Sequence, residues 1–199
     1  MSKIGKIEKK TSNRFLNHYE FEAIHRDGSR SPYYMASRNP DPATLKAVTH
    51  QNHPDGVILY GVYGEQKDQV VLVRQFRYPV NGYVYEFPAG LVEPGEDILE
   101  AGIREMYEET GLQFEAVSCS QPFFMTVGMT DESCGTVFGY CKGKPSNTHQ
   151  EGSEDIQVVI ADRSECRRIL QEERVALPCA YMLMHFIASS GDPLSFLKV

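Results

Sequence analysis

Residues 87–112 limit what this chain can fold into more than any other stretch. Pro94-Gly95 is a turn signal, and Glu96 and Asp97 follow it, where the positive end of a helix dipole favours acidic groups. Apolar residues then recur at helical spacing until Gly111, which stands where a left-handed C-terminal cap belongs. The spacing predicts a helix over 97–110. Leu99, Ile103, Met106 and Thr110 form one mostly apolar stripe, and Glu105, Glu108 and Glu109 cluster on a different face. Like-charge pairs at this spacing destabilise a bare helix by roughly 0.2–0.5 kcal/mol each. Arg104, one turn before Glu108, offsets part of that. A hard divalent cation offsets more, since carboxylate oxygens are the ligands magnesium takes. Ala101 and Gly102 are small and would leave room for a bulky ligand.

The rest of the chain reads as strands and helices interleaved around one sheet system. Short strands are expected within 13–38, with Asp27-Gly28 as a turn, and the prolines Pro40 and Pro42 then break the chain. Residues 57–63 and 70–76 read as a hairpin, and 83–87, 121–126, 133–141 and 156–160 as further strands. Residues 142–153 form a polar loop, and 164–173 and 178–188 read as helices. With 199 residues the chain can hold one core plus a small module. This places a β-strand module at 1–52 and the main domain at 53–199.

A net charge of −7 disfavours non-specific binding to nucleic acid or an anionic membrane. Five cysteines in no C-x-x-C pair argue against a disulfide framework or structural zinc, and fit reduced thiols in the cytoplasm. No secretory signal and no apolar run long enough to span a bilayer is visible. The six histidines show no ligand spacing, so none is assigned chemistry.

Three glutamates alone would be read as a solvated helix face. The wider pattern outweighs that reading: Gly90, five residues, Glu96, seven residues, Arg104-Glu105, Met106, any residue, Glu108-Glu109, any residue, Gly111-Leu112. Seven fixed identities at ordinary residue frequencies would coincide less than about once in 10^7 start positions. This is the Nudix box, and the chain resembles the Nudix hydrolases. The resemblance implies an α/β Nudix fold, a mixed β-sheet sandwiched between helices, with a small N-terminal antiparallel β module. It implies magnesium as cofactor, with manganese able to substitute. By motif position, Glu105 and Glu109 look like the principal metal ligands, Glu108 like a further ligand, and Arg104 like the group that orients them. Gly90 and Gly111 look like backbone hinges, and Glu96 like a loop anchor or outer metal partner.

Val73 to Pro79, Tyr85 to Gly90 and Gly128 to Glu132 are further similar to the ADP-ribose pyrophosphatase branch. In that branch the carbonyl at the position of Ala89 binds metal, a loop glutamate serves as base or extra ligand, and N-terminal strands build a domain-swapped homodimer. Glu154 is the first choice for the loop glutamate and Glu151 the second. Arg74 and Arg77 are candidates to grip a diphosphate, Glu86 and Glu132 to bond adenine or ribose, and Tyr78 to stack on a base. One position departs: Val127 stands where the branch usually has proline. The expected reaction is hydrolysis of the diphosphate bond of ADP-ribose or a related nucleoside diphosphate sugar. GDP-sugars or other nucleoside diphosphate derivatives are the alternative. A non-catalytic nucleotide sensor would be expected to have lost box carboxylates, and all three are present.

Overall fold

The computed structural model describes residues 1–150, 152 and 154–198. The elements in chain order are β1 (Lys3–Lys9), β2 (Asn17–Ile24), β3 (Arg30–Ser37), α1 (Lys46–Thr49), β4 (Gly56–Tyr63), β5 (Gln69–Arg77), β6 (Gly82–Glu86) and β7 (Ala89–Leu91), followed by α2 (Ile98–Thr110), β8 (Gln113–Cys119), β9 (Phe123–Phe124), β10 (Ser133–Lys142), β11 (Ile156–Asp162), α3 (Arg163–Glu172) and α4 (Leu177–Ala188). They gather into two compact units, Met1–Asp55 with Pro122–Cys134, and Gly56–Gln121 with Gly135–Val199.

In the first unit β1, β2 and β3 form an antiparallel sheet in that order. The Asp27-Gly28 turn is as expected: Gly28 takes φ 88°, and the Asp27 carboxylate accepts from the Ser29 N–H at 2.9 Å. Alternate residues of β2 point inward, so Tyr19 and Phe21 meet Met35 and Leu45 in a small core. Strand β1 was not expected. Its lysine-rich sequence carries no buried period, and it forms by pairing its backbone with β2. The strand expected over 121–126 shrinks to Phe123–Phe124. Pro122 has no N–H to give a ladder, and beyond Phe124 the backbone turns, with Met129 N–H and Thr130 N–H both bonded to the Thr126 carbonyl.

In the second unit the strand order is β11-β5-β4-β10-β8, with β6 on β5 and β7 on β4. Helices cover both faces of this mixed sheet. Val57 and Leu59 of β4 and Val71 of β5 pack with Ala101, Met106 and Leu112 on the α2 side. Tyr60, Val62, Val70 and Leu72 pack with Cys166 and Ile169 of α3 and Cys179, Leu183 and Phe186 of α4 on the other. The period of two along each central strand thus feeds two cores, and each fully buried large side chain contributes roughly 1.5–3 kcal/mol. Gly61 lies on the α2 face, where a Cβ would come within 2.9 Å of Met106. Strand β8 was not expected either, because Gln113, Glu115 and Ser118 dilute its apolar signal. It pairs with β10 and buries Phe114. No described helix is long and apolar enough to cross a membrane.

Candidate active site

Helix α2 starts as its sequence dictates. Asp97 is the N-cap, accepting from Leu99 N–H at 2.8 Å, while Glu100 reaches back to the Asp97 N–H. Gly111 ends the helix at φ 70°, and its N–H bonds the Tyr107 carbonyl. The face it buries differs from the expected stripe. Ala101, Gly102, Met106, Glu109 and Thr110 are inside, and Ile103 is exposed. Ala101 and Gly102 do not make room for a ligand. A Cβ at Gly102 would already stand 3.1 Å from Leu59 and Val137, so the small residues let the helix sit close on the sheet.

The three box glutamates therefore fall in three environments. Glu108 is half exposed, Glu105 mostly covered, and Glu109 only 3% exposed. Arg104 spans the group. It donates to both carboxylate oxygens of Glu96 at 2.9 Å, to Glu105 at 2.8 Å, to Glu108 at 3.0 Å and to the Leu91 carbonyl at 3.0 Å. Glu96 also accepts from the Glu93 N–H at 3.0 Å, so Arg104 and Glu96 together tie the loop after β7 to the helix. Arg104 holds the Glu96 carboxyl below the usual range. A Cβ at Gly90 would overlap the Glu105 carboxylate, so a side chain there would displace that carboxylate from its place beside Arg104.

Glu109 accepts from the Ala89 N–H at 3.2 Å. Burial pushes its carboxyl well above the usual range and the charge of Glu105 pushes the same way. The Ala89 bond opposes, Glu154 pushes further up, and Arg77 opposes again. Burial also raises Glu105, against Arg104 and with help from Glu108 and Glu154. Glu154 is thus close enough for its charge to act on both. Glu151 lies outside the described residues.

Among the described residues no three His, Cys, Asp or Glu side chains already converge on one point as a metal cage would. Arg104 holds Glu105 and Glu108, and Glu109 turns to Ala89. The donor set nevertheless fits a hard divalent cation: oxygen ligands only, one of them buried, in a cluster where burial first and neighbouring carboxylates second raise Glu105 and Glu109.

The remaining candidates are spread out. Arg77 pairs with Glu86, so those two engage each other. The Arg74 guanidinium lies 4.1 Å over the Tyr83 ring and donates to Gln157 at 3.2 Å. Tyr78 is 81% exposed and meets Phe76 edge-on. Glu132 belongs to the first unit, where it pairs with Arg38 at 2.8 Å. Sequence reasoning missed the residues that fasten residues 146–150 to α2. The Gln150 side chain donates to the Glu109 carbonyl at 2.7 Å, Ser146 N–H to the Thr110 carbonyl at 2.8 Å, and His149 stacks on Tyr107 at 4.5 Å. No sequence pattern signalled these contacts; they follow from the close approach of the segment to the helix end, where a Cβ at Gly111 would meet Ser146 at 2.8 Å.

The sequence profile of the NUDIX domain matches residues 52–174, which contain every part of this cluster. The chain belongs to the Nudix family. The putative nudix hydrolase 2 of Caenorhabditis elegans is 36% identical over 144 residues, 69% of this chain and 61% of that protein. The ADP-sugar pyrophosphatase of Mus musculus is 45% identical over 62 residues, 31% of this chain and 28% of its own. The ADP-ribose pyrophosphatase of Saccharomyces cerevisiae is 42% identical over 77 residues, 38% and 33% of the two chains. The chain thus spans 61% or less of the length of these relatives. A crystal structure of an ADP compounds hydrolase superposes with a TM-score of 0.64 over 86% of this chain and 83% of that one, at 18% identity, and shows the shared Nudix fold.

Proposed function

We propose that this Nudix protein hydrolyses the diphosphate bond of ADP-ribose or a related nucleoside diphosphate sugar, giving AMP and a sugar phosphate. The observation that carries the reading is the carboxylate cluster of the box. Glu109 is buried on a helix whose Glu105 and Glu108 are held by Arg104, with Glu105 and Glu154 acting on it. The names of the mouse and yeast relatives support the substrate class.

Ala89, Glu105, Glu108 and Glu109 would hold magnesium, which supplies neutralisation of the phosphate charge and a more acidic water. The chain's own groups do the rest. Arg104, pinned by Glu96, orients Glu105 and Glu108. Arg74 and Arg77 at the end of β5 offer donors to phosphate oxygens. Glu154 takes the proton of the attacking water as its oxygen bonds to phosphorus, and the bridging P–O bond breaks toward the leaving phosphate. A base of this kind contributes roughly 10^2–10^4-fold. Glu86 and Glu132 are assigned to adenine or ribose. Val127, 72% exposed, is the departure that favours a second substrate class, GDP-sugars or other nucleoside diphosphate derivatives.

The same reading makes the protein a cytoplasmic homodimer joined through the 1–52 module. Its five free thiols and the exposed Phe15 and Tyr34 support this, and light scattering giving the mass of one chain would contradict the dimer.

Purified protein with ADP-ribose and magnesium is expected to yield AMP and ribose 5-phosphate, and Glu109→Gln to abolish most of that turnover. Cleavage of GDP-sugars in place of ADP-ribose would move the assignment to the second class. Full turnover by Glu109→Gln at saturating magnesium would sink the ligand assignment.

A further inference from the structure

Glu154 sits at the end of a polar loop, yet its task demands a fixed place. The chain after it is fastened twice. The Asp155 carbonyl accepts from the Phe76 N–H of β5 at 3.0 Å, and the Asp155 carboxylate accepts from the Tyr83 hydroxyl of β6 at 2.6 Å. Tyr83 is paired with Phe76 in the β5–β6 ladder and meets its ring edge-on at 5.5 Å. The other face of the matter is Arg74, whose guanidinium lies 4.1 Å over the same Tyr83 ring. One phenol therefore touches a candidate phosphate-gripping arginine through its ring and the neighbour of Glu154 through its hydroxyl. On the far side the loop is tied to α2 by Gln150, His149 and Ser146.

We propose that Tyr83 is a positioning residue for the hydrolytic site, its hydroxyl fixing Glu154 through Asp155 and its ring fixing Arg74. The inference rests on the hydrolase reading above. The two functions of the side chain separate chemically. Tyr83→Phe keeps the ring under Arg74 and deletes only the bond to Asp155, whereas Tyr83→Leu deletes both. Displacing a reacting group by about 1 Å can cost as much as 10^2-fold in rate, and one partly exposed hydrogen bond restrains less than that.

The test measures kcat and KM for Tyr83→Phe, Tyr83→Leu, Asp155→Ala and Asp155→Asn, with hydrogen exchange of the 142–156 segment in each. Tyr83→Phe and Asp155→Ala are expected to lower kcat about tenfold with KM unchanged and to speed exchange in that segment alone. Tyr83→Leu is expected to raise KM as well. Asp155→Asn keeps a carbonyl acceptor and is expected to restore near wild-type kcat. In a Glu154→Gln background Tyr83→Phe is expected to add nothing. Unchanged exchange and kcat in Tyr83→Phe would overturn the proposal, as would an undiminished effect in the Glu154→Gln background. If the wild type cleaves no diphosphate at all, the hydrolase reading falls. The exchange data then decide the anchor separately, since faster exchange in Tyr83→Phe upholds it and unchanged exchange removes it.

Discussion

Glu109 answers to two opposed demands. Its burial and the charges of Glu105 and Glu154 favour the protonated carboxyl, while holding a cation requires the carboxylate. In the absence of metal a carboxyl raised in the fold binds its proton more tightly folded than unfolded. The group therefore contributes stability that is complete below its unfolded value and is lost as pH rises from there through the raised folded one. Glutamine at 109 carries no charge and can still accept from the Ala89 N–H. Glu109→Gln is therefore expected to melt higher than wild type at pH 8 in EDTA, with the advantage shrinking on acidification. Magnesium should reverse the order. A ligand at a hundred times its dissociation constant stabilises by about 2.7 kcal/mol, and the variant should lose most of that gain. Calorimetry with and without magnesium reads both effects, and a variant less stable than wild type at pH 8 in EDTA would refute this account of the site.

At the scale of the element, α2 shows which parts of a functional helix can be read before folding and which cannot. Its ends are local chemistry, so the Pro94-Gly95 turn, the acidic Glu96-Asp97 start and Gly111 marked them in the sequence, whereas the reciprocal bond of Glu100 did not enter that reading; the box spacing of Arg104, Glu105, Glu108 and Glu109 was legible as a pattern. Its buried face was not, because packing against Leu59 and Val137 turned Gly102 and Glu109 inward and left Ile103 outside. The central strands β4 and β5 were legible as long apolar runs. Strands β1 and β8 were hidden by lysines and polar residues that pairing tolerates. The contacts of Gln150, His149 and Tyr83 depend on loop placement, which no spacing encodes. Two variants test the helix itself by urea denaturation. Asp97→Ala should cost about 1 kcal/mol through the lost cap. Gly102→Leu should cost about 1–3 kcal/mol by forcing the helix off the sheet. A neutral Gly102→Leu would mean that the close approach of α2 is not needed.

At the scale of the whole molecule, one acid joins distant parts of the second unit. Asp192, beyond α4, accepts from Lys67 in the β4–β5 turn at 2.7 Å and from the Tyr140 hydroxyl of β10 at 2.6 Å, and it caps the Leu194 N–H at 3.0 Å. Leu194 in turn closes the core beneath α3 and α4. Burial alone would raise the Asp192 carboxyl, but the bonds from Lys67, Tyr140 and Leu194 outweigh it and hold it at about 2, below the ordinary 3.8. A carboxyl lowered in the fold contributes stability that is complete above its unfolded value and is lost as pH falls through its folded one. After discounting for partial exposure, that contribution is about 1–2 kcal/mol near neutrality. It should disappear between about pH 4 and about pH 2. Asp192→Asn should therefore lower stability by that amount at pH 7 and converge with wild type at low pH, as measured by urea midpoints across the range. Parallel curves for the two proteins down to about pH 2 would mean that the C-terminal segment is held by the burial of Leu194 and not by this charge.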